Sequence, residues 1–189
     1  FAHDDNIAVV EYEEGILSVR LFFTIDEEAY DLFAEQMIAG EKAGADLIVI
    51  ETMTDLYEVK AALLAAKENT SLPIFVTVVF DEDGKLLTGA DASAVVTTLE
   101  GLGVSALGVN CSLGPDKLMP IVQRMCEISS TPVIVNPNAG LPVQIDGETK
   151  FNVSRDDFAK YILKRLLKIY HTIFYHILRI FQLLILIFL

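Results

Sequence analysis

A chain of 189 residues that is 52% hydrophobic is long enough for one domain with a substantial core, and one domain is the default. Its formal charge is −13, yet residues 1–161 hold all 27 acids and ten of the 14 bases, so that stretch alone carries −17. This excludes nucleic acid as a partner, since affinity for phosphate backbones comes largely from Lys and Arg, and two cysteines, Cys111 and Cys126, fit a reducing cytoplasm better than a disulfide framework.

Phe1 stands where a start methionine would, which implies a beginning inside a longer reading frame. Residues 1–22 contain IAVVEYEEGILSVRLF, two short strands about Glu13-Glu14-Gly15, an atypical N-terminal hairpin foreign to a parallel repeat. Residues 23–161 alternate regularly. DEEAYDLFAEQMIAGEKAG has apolar residues at helical spacing, and ADLIVIE is a continuous apolar run of the buried-strand type. The pattern repeats as helix DLYEVKAALLAAKEN, strand PIFVTVVF, helix DASAVVTTLEGLG, strand SALGVN, helix PDKLMPIVQRMCEIS and strand TPVIVNP. Predicted strand ends fall near Glu51, Phe80, Asn110 and Asn136, a spacing typical of βα units with parallel strands.

Residues 162–189 break the rhythm. They contain no Gly, Pro or acid and are rich in Leu, Ile and Phe, so they predict an apolar helical tail. Its last uninterrupted apolar run, LLILIFL, is far short of the ~20 residues that span a bilayer. An aberrant translation product explains the abrupt change of composition; contact with a membrane is the alternative.

Both a doubly wound sheet and a (β/α)8 barrel accommodate such units. No GxGxxG follows a strand, which weakens the dinucleotide-binding form of the first. A whole barrel takes ~250 residues. The expected fold is therefore a partial (β/α)8 TIM-type barrel of about four to five βα units.

Barrel active sites lie at the C-terminal ends of the strands. That rule brings Glu51-Thr52, Thr77, Phe80-Asp81, Asn110-Cys111-Ser112 and Asn136-Pro137-Asn138 onto one rim. Cys111 precedes Gly114-Pro115, a helix opener whose positive end favours a thiolate, although a lone Cys is as readily a small core residue. The three histidines, His3, His171 and His176, lie in the atypical ends, so a Cys-His nucleophile is disfavoured and a metal thiolate preferred. Cys126 reads as core packing one turn after Val122. Glu51 is either a rim group for an ammonium or a salt-bridged structural acid. Asp55 and Glu58 read as the first turn and solvent face of the next helix, and Asn138 in NPNAG equally builds a turn. Lys60, Lys67, Lys85 and Lys117 fall in helices or loops, so Schiff-base chemistry finds no strand-end lysine.

ADLIVIETMTDLYEVKAALLAAKE, TVVFDEDGKLLTGAD, VVTTLEGLGVSALGVNCSLGP and VIVNPNAGLP closely resemble the homocysteine S-methyltransferase family, most of all the homocysteine-binding barrel of bacterial cobalamin-dependent methionine synthases. The likeness runs from about Asp26 to Tyr161. It implies a (β/α)8 barrel with Zn²⁺ on three cysteines: Cys111 in NCS and an adjacent pair in a GGCCG-like motif of a later strand. It further implies that Glu51 contacts the homocysteine amino group and that Asn138 lies beside the metal, with Asn110 grouped among the substrate-binding residues. A zinc on three thiolates keeps one position for the homocysteine sulfur and makes it a thiolate at neutral pH, ready to take a methyl group and give methionine. Methylcobalamin is the implied donor, and folate and cobalamin modules the implied partners in the parent enzyme. No adjacent cysteine pair follows Tyr161 here, so the expectation is a fragment with an incomplete zinc site and no turnover. The alternative is a non-catalytic half-barrel that self-associates or meets a membrane through its tail.

Overall fold

The computed structural model describes residues 8–13, 16–21, 27–111, 113–140, 142–145, 148–151 and 153–161. The apolar tail and the three histidines lie outside these residues. The elements run β1 (Ala8–Glu13), β2 (Ile16–Leu21), α1 (Glu27–Ala43), β3 (Leu47–Met53), α2 (Leu56–Asn69), β4 (Ile74–Val78), α3 (Ala92–Gly101), β5 (Ala106–Cys111), α4 (Pro115–Ile128), β6 (Val133–Pro137), β7 (Pro142–Ile145), β8 (Glu148–Phe151) and α5 (Arg155–Tyr161). The four predicted helix–strand alternations are present, with strand ends within two residues of those expected.

One six-stranded sheet has the order β1-β2-β3-β4-β5-β6. β1 and β2 pair antiparallel, but β2 also pairs parallel with β3, Ile16 opposite Leu47 through Val19 opposite Ile50. β2, expected outside the repeat, therefore leads into α1 as a member of the parallel array. β3, β4, β5 and β6 follow in sequence order without reversal.

Side-chain burial tells which face each strand gives to the helices. Successive strand residues point to opposite faces. Ile48 and Ile50 of β3, Ile74, Val76 and Val78 of β4, Leu107 and Val109 of β5, and Val133 of β6 join one apolar core. The same core takes Phe33 and Met37 from α1, Val59 and Leu63 from α2, Val95 and Leu99 from α3, and Leu118, Val122 and Met125 from α4. Helices α1 to α4 thus cover a single face. A doubly wound sheet has helices on both faces and a point where strand order reverses; among the described residues this sheet shows neither, and its parallel winding is consistent with a partial TIM-type barrel. The opposite face receives Val49, Glu51, Phe75, Thr77, Gly108 and Asn110.

Helices begin where the sequence supplies caps. Asp55 is the N-cap of α2 and accepts from the backbone N–H groups of Tyr57 and Glu58; Asp91 caps α3 through Ala94 N at 2.9 Å. Asp55 therefore sits one position before the helix. Glu58 is half-buried, not on the solvent face, and burial, then the nearby Asp55, raises its carboxyl above the ordinary range.

Two acids at the opposite end of the sheet repeat one device. Glu41 of α1 accepts from the N–H and hydroxyl of Ser71, both at 2.8 Å, in the turn before β4. Glu100 of α3 accepts from Ser129 Oγ at 2.8 Å, Ser130 N at 2.6 Å and Thr131 N at 2.8 Å, in the turn before β6. Burial pushes the Glu100 carboxyl up, but the bonds from Ser129, Thr131 and Ser130 outweigh it and hold the carboxyl below its ordinary range. A carboxyl depressed by folding stabilises above the unfolded value of about 4.3, and that stability is lost as pH falls through the folded value. Glu100→Gln is expected to cost about 1 kcal/mol at neutral pH, and the urea midpoints of variant and parent should converge on acidification; a gap that stays constant in acid would contradict this role.

Candidate functional site

The site grows from the end of β5. Asn110 is its penultimate residue and only 4% exposed. Its Oδ1 accepts from the Thr52 backbone N–H at 3.1 Å, and its Nδ2 donates to Thr52 Oγ1 at 2.6 Å and to Cys111 Sγ at 3.4 Å. Thr52 belongs to β3, two strands away. In a flat sheet those strands lie about 9.5 Å apart, beyond the reach of an asparagine side chain, so the sheet must curl towards this face. β3 is irregular at this point, its register with β4 shifting between Ile50 and Met53.

Cys111 and Thr52 share a second property. They are the non-glycine residues with positive φ among the described residues, 56° and 62°. The left-handed turn at the last residue of β5 breaks the strand there and leaves Cys111 half-buried.

Strand register brings the other expected residues alongside. Asn110 pairs with Asn136 and Cys111 with Pro137, so Asn138 follows directly beyond the partner of Cys111. The loops after β5 and β6 also touch: a Cβ on Gly114 would stand 3.1 Å from Gly140 Cα. Val153 N donates to Ala139 O at 3.0 Å, tying the segment after β8 to the NPNAG loop. On β3, Glu51 is half-buried on the face away from the core and adjoins Thr52. Glu51, Asn110, Cys111 and Asn138 are thus all at strand ends on one rim. Thr77, on β4 between them, is 3% exposed, and its Oγ1 has no hydrogen-bond partner among the described residues.

Phe80 and Asp81, expected on the rim, lie two and three residues past the end of β4. Asp81 Oδ1 accepts from Asp83 N and Lys85 N, both at 2.9 Å, and builds the turn of the loop between β4 and α3. That loop is held to α4 by an ion pair between Glu82 and Lys117. Asp81 is a turn builder here.

The residues present do not fit a three-thiolate zinc. Cys126, on α4, packs partly buried against the core on the helix side of the sheet, away from Cys111. Neither cysteine is disulfide-bonded, and the sequence has no third. Among the described residues no group of three or more His, Cys, Asp or Glu is arranged to hold a metal ion. A zinc centre takes at least three protein ligands, and among the described residues Cys111 is the one cysteine on the rim.

Comparison with known proteins agrees with this geometry. The model of a family described as homocysteine S-methyltransferase matches residues 16–177, a span that takes in β2. Methionine synthase of Mycobacterium leprae (strain TN) is 31% identical over 135 residues, 69% of this chain and 11% of that protein. Methionine synthase of Mycobacterium tuberculosis (strain ATCC 25618 / H37Rv) is 35% identical over 126 residues, 64% and 10% respectively. The chain thus spans about a tenth of the length of these relatives. Among solved structures, the apo form of the homocysteine methyltransferase MmuM from Escherichia coli has a TM-score of 0.54 at 24% identity, covering 62% of this chain and 44% of that one. Its oxidized form gives 0.55 at 22%, covering 74% and 47%. At these identities the structures speak for the fold, whereas the family match covers most of the sequence and includes the whole rim: the chain belongs to the homocysteine S-methyltransferase family.

Proposed function

We propose that this chain is the homocysteine-binding portion of a (β/α)8 methyltransferase of the methionine synthase type, whose parent transfers a methyl group to homocysteine to give methionine. The observation that carries this reading is the rim on which Asn110 ties the Cys111 thiol of β5 to Thr52 of β3, beside the Glu51 carboxylate. A carboxylate and a thiol fixed on one strand-end rim suit an amino acid that offers an ammonium at one end and sulfur at the other. Glu51 receives the amino group, and Asn138, next to the partner of Cys111, lines the sulfur end. Methylcobalamin is the donor in the parent, with folate and cobalamin modules as its companions. Cysteines outside any disulfide accord with a cytoplasmic setting.

Among the described residues no helix is long and apolar enough to cross a membrane. Because the ligand set does not fit zinc, no step of methyl transfer is assigned to this chain by itself. It is a substrate-holding rim without turnover. The purified chain is expected to hold much less than one zinc per molecule by atomic absorption and to form no methionine from homocysteine and methylcobalamin. Stoichiometric zinc that survives dialysis and is lost on Cys111→Ala would overturn the claim of inactivity.

A further inference from the structure

A β-branched residue in the left-handed region is a backbone outlier, and a non-glycine residue there sits about 1–2 kcal/mol above its ordinary conformations. Thr52 and Cys111 are both in that region, on strands far apart in sequence, and one side chain touches both. Asn110 has two amide hydrogens, taken by Thr52 Oγ1 and Cys111 Sγ, and its carbonyl oxygen accepts the Thr52 N–H. It has no amide hydrogen left to offer a ligand, and it is all but inaccessible.

We infer that Asn110 is a positioning residue: it clamps Thr52 and Cys111 in their left-handed conformations and so fixes the thiol of β5 against the Glu51-Thr52 corner of β3. This replaces the expected role of Asn110 as a substrate contact. Asp would keep the acceptor for Thr52 N but lose the donors to Thr52 Oγ1 and Cys111 Sγ. Ala would lose every bond. Ser is too short to cross β4, and Gln is a methylene too long for a site this buried. What the clamp serves rests on the reading of the rim given above, but the clamp itself does not, and it is tested with no substrate present.

The full chain is labelled with ¹³C-cysteine, which yields two spin systems, and Cys126→Ala assigns them. The Cys111 Cα and Cβ shifts are expected to carry the signature of a left-handed residue in the parent and to lose it in Asn110→Ala and Asn110→Asp. They should keep it in Leu99→Ala, a core truncation of α3 away from the rim. A purely structural asparagine would leave the signature in place, and an unchanged Cys111 signal in both Asn110 variants overturns the clamp. Should Asn110→Ala fold poorly, a second measurement decides: Thr52→Gly added to it, which adopts positive φ freely, is expected to raise the folded-to-unfolded ratio about fivefold. In the parent background Thr52→Gly should bring no such gain, because it removes a partner of Asn110. Failure of glycine at this position to rescue overturns the proposal as well. Homocysteine titration of the same samples is scored separately, so loss of the substrate reading and loss of the clamp are told apart.

Discussion

Gly108→Ala is expected to abolish cooperative folding, or to reduce stability by more than about 4 kcal/mol, the range reserved for single changes that break packing outright. Gly108 lies in the middle of β5 and pairs with Ile134 of β6. A Cβ built on it would fall 1.9 Å from the Ile134 carbonyl oxygen and 2.7 Å from that residue's nitrogen and carbonyl carbon. These three nearest atoms all belong to backbone, so no rotamer change relieves the clash. β6 would have to move off β5, and the ladder from Leu107–Val133 to Cys111–Pro137 would go with it. The functional consequence comes from the same register, because it is what stands Asn138 next to the partner of Cys111.

Gly101→Ala serves as the control. Gly101 ends α3, has an ordinary φ, and would meet nothing within 4 Å. Alanine there should be neutral or add up to about 1 kcal/mol through helix propensity. Urea unfolding followed by circular dichroism separates the two variants. Similar midpoints would mean that β5 and β6 are not held at the spacing described.

The contrast between these glycines marks how far the sequence can be read. Periodicity is local, so apolar spacing and continuous runs are enough to place α1 through α4 and β3 through β6. Strand ends then put Glu51, Cys111 and Asn138 on one rim without knowledge of any contact. Nothing near Gly108 signals that the backbone of β6 crowds it, since that constraint comes from a strand whose register is fixed elsewhere. The bond from Asn110 to Thr52 spans 58 residues, and neither Thr52 nor Cys111 is a residue type that advertises positive φ. The parallel partnership of β2 with β3 is hidden for the same reason: ILSVRL reads as a strand, but its partner is chosen by the fold. β7 and β8 do leave a local sign, Asp146-Gly147 between two short runs, of the kind that joins hairpin strands. The solvent-face expectation for Glu58 fails because an acid near a helix start satisfies the dipole rule whether or not it is covered.

Joining residues 1–161 to the second half of a barrel that carries the adjacent cysteine pair implied by the resemblance is expected to give a protein that holds one zinc per molecule, where the chain by itself is expected to hold much less. Which cysteine is available decides the outcome. Cys111 ends β5 on the rim, half-buried, with its sulfur engaged by Asn110 and its backbone turned out of the strand. Cys126 lies on α4, in the helix layer, packed against the core on the far side of the sheet. Only the first can meet thiolates from later strands of a closed barrel, because those strand ends face the same rim. In the joined protein Cys111→Ala should therefore lower zinc affinity on the order of a hundredfold or more, since removing even a supporting group around a zinc costs about 10–100-fold. Cys126→Ala should leave the stoichiometry unchanged and shift only the melting temperature. Zinc content after exhaustive dialysis, and competition with a chromophoric chelator, measure both. Equal retention of zinc by the Cys111→Ala protein would remove Cys111 from the proposed ligand set, and with it the proposed link between this rim and the chemistry of the family.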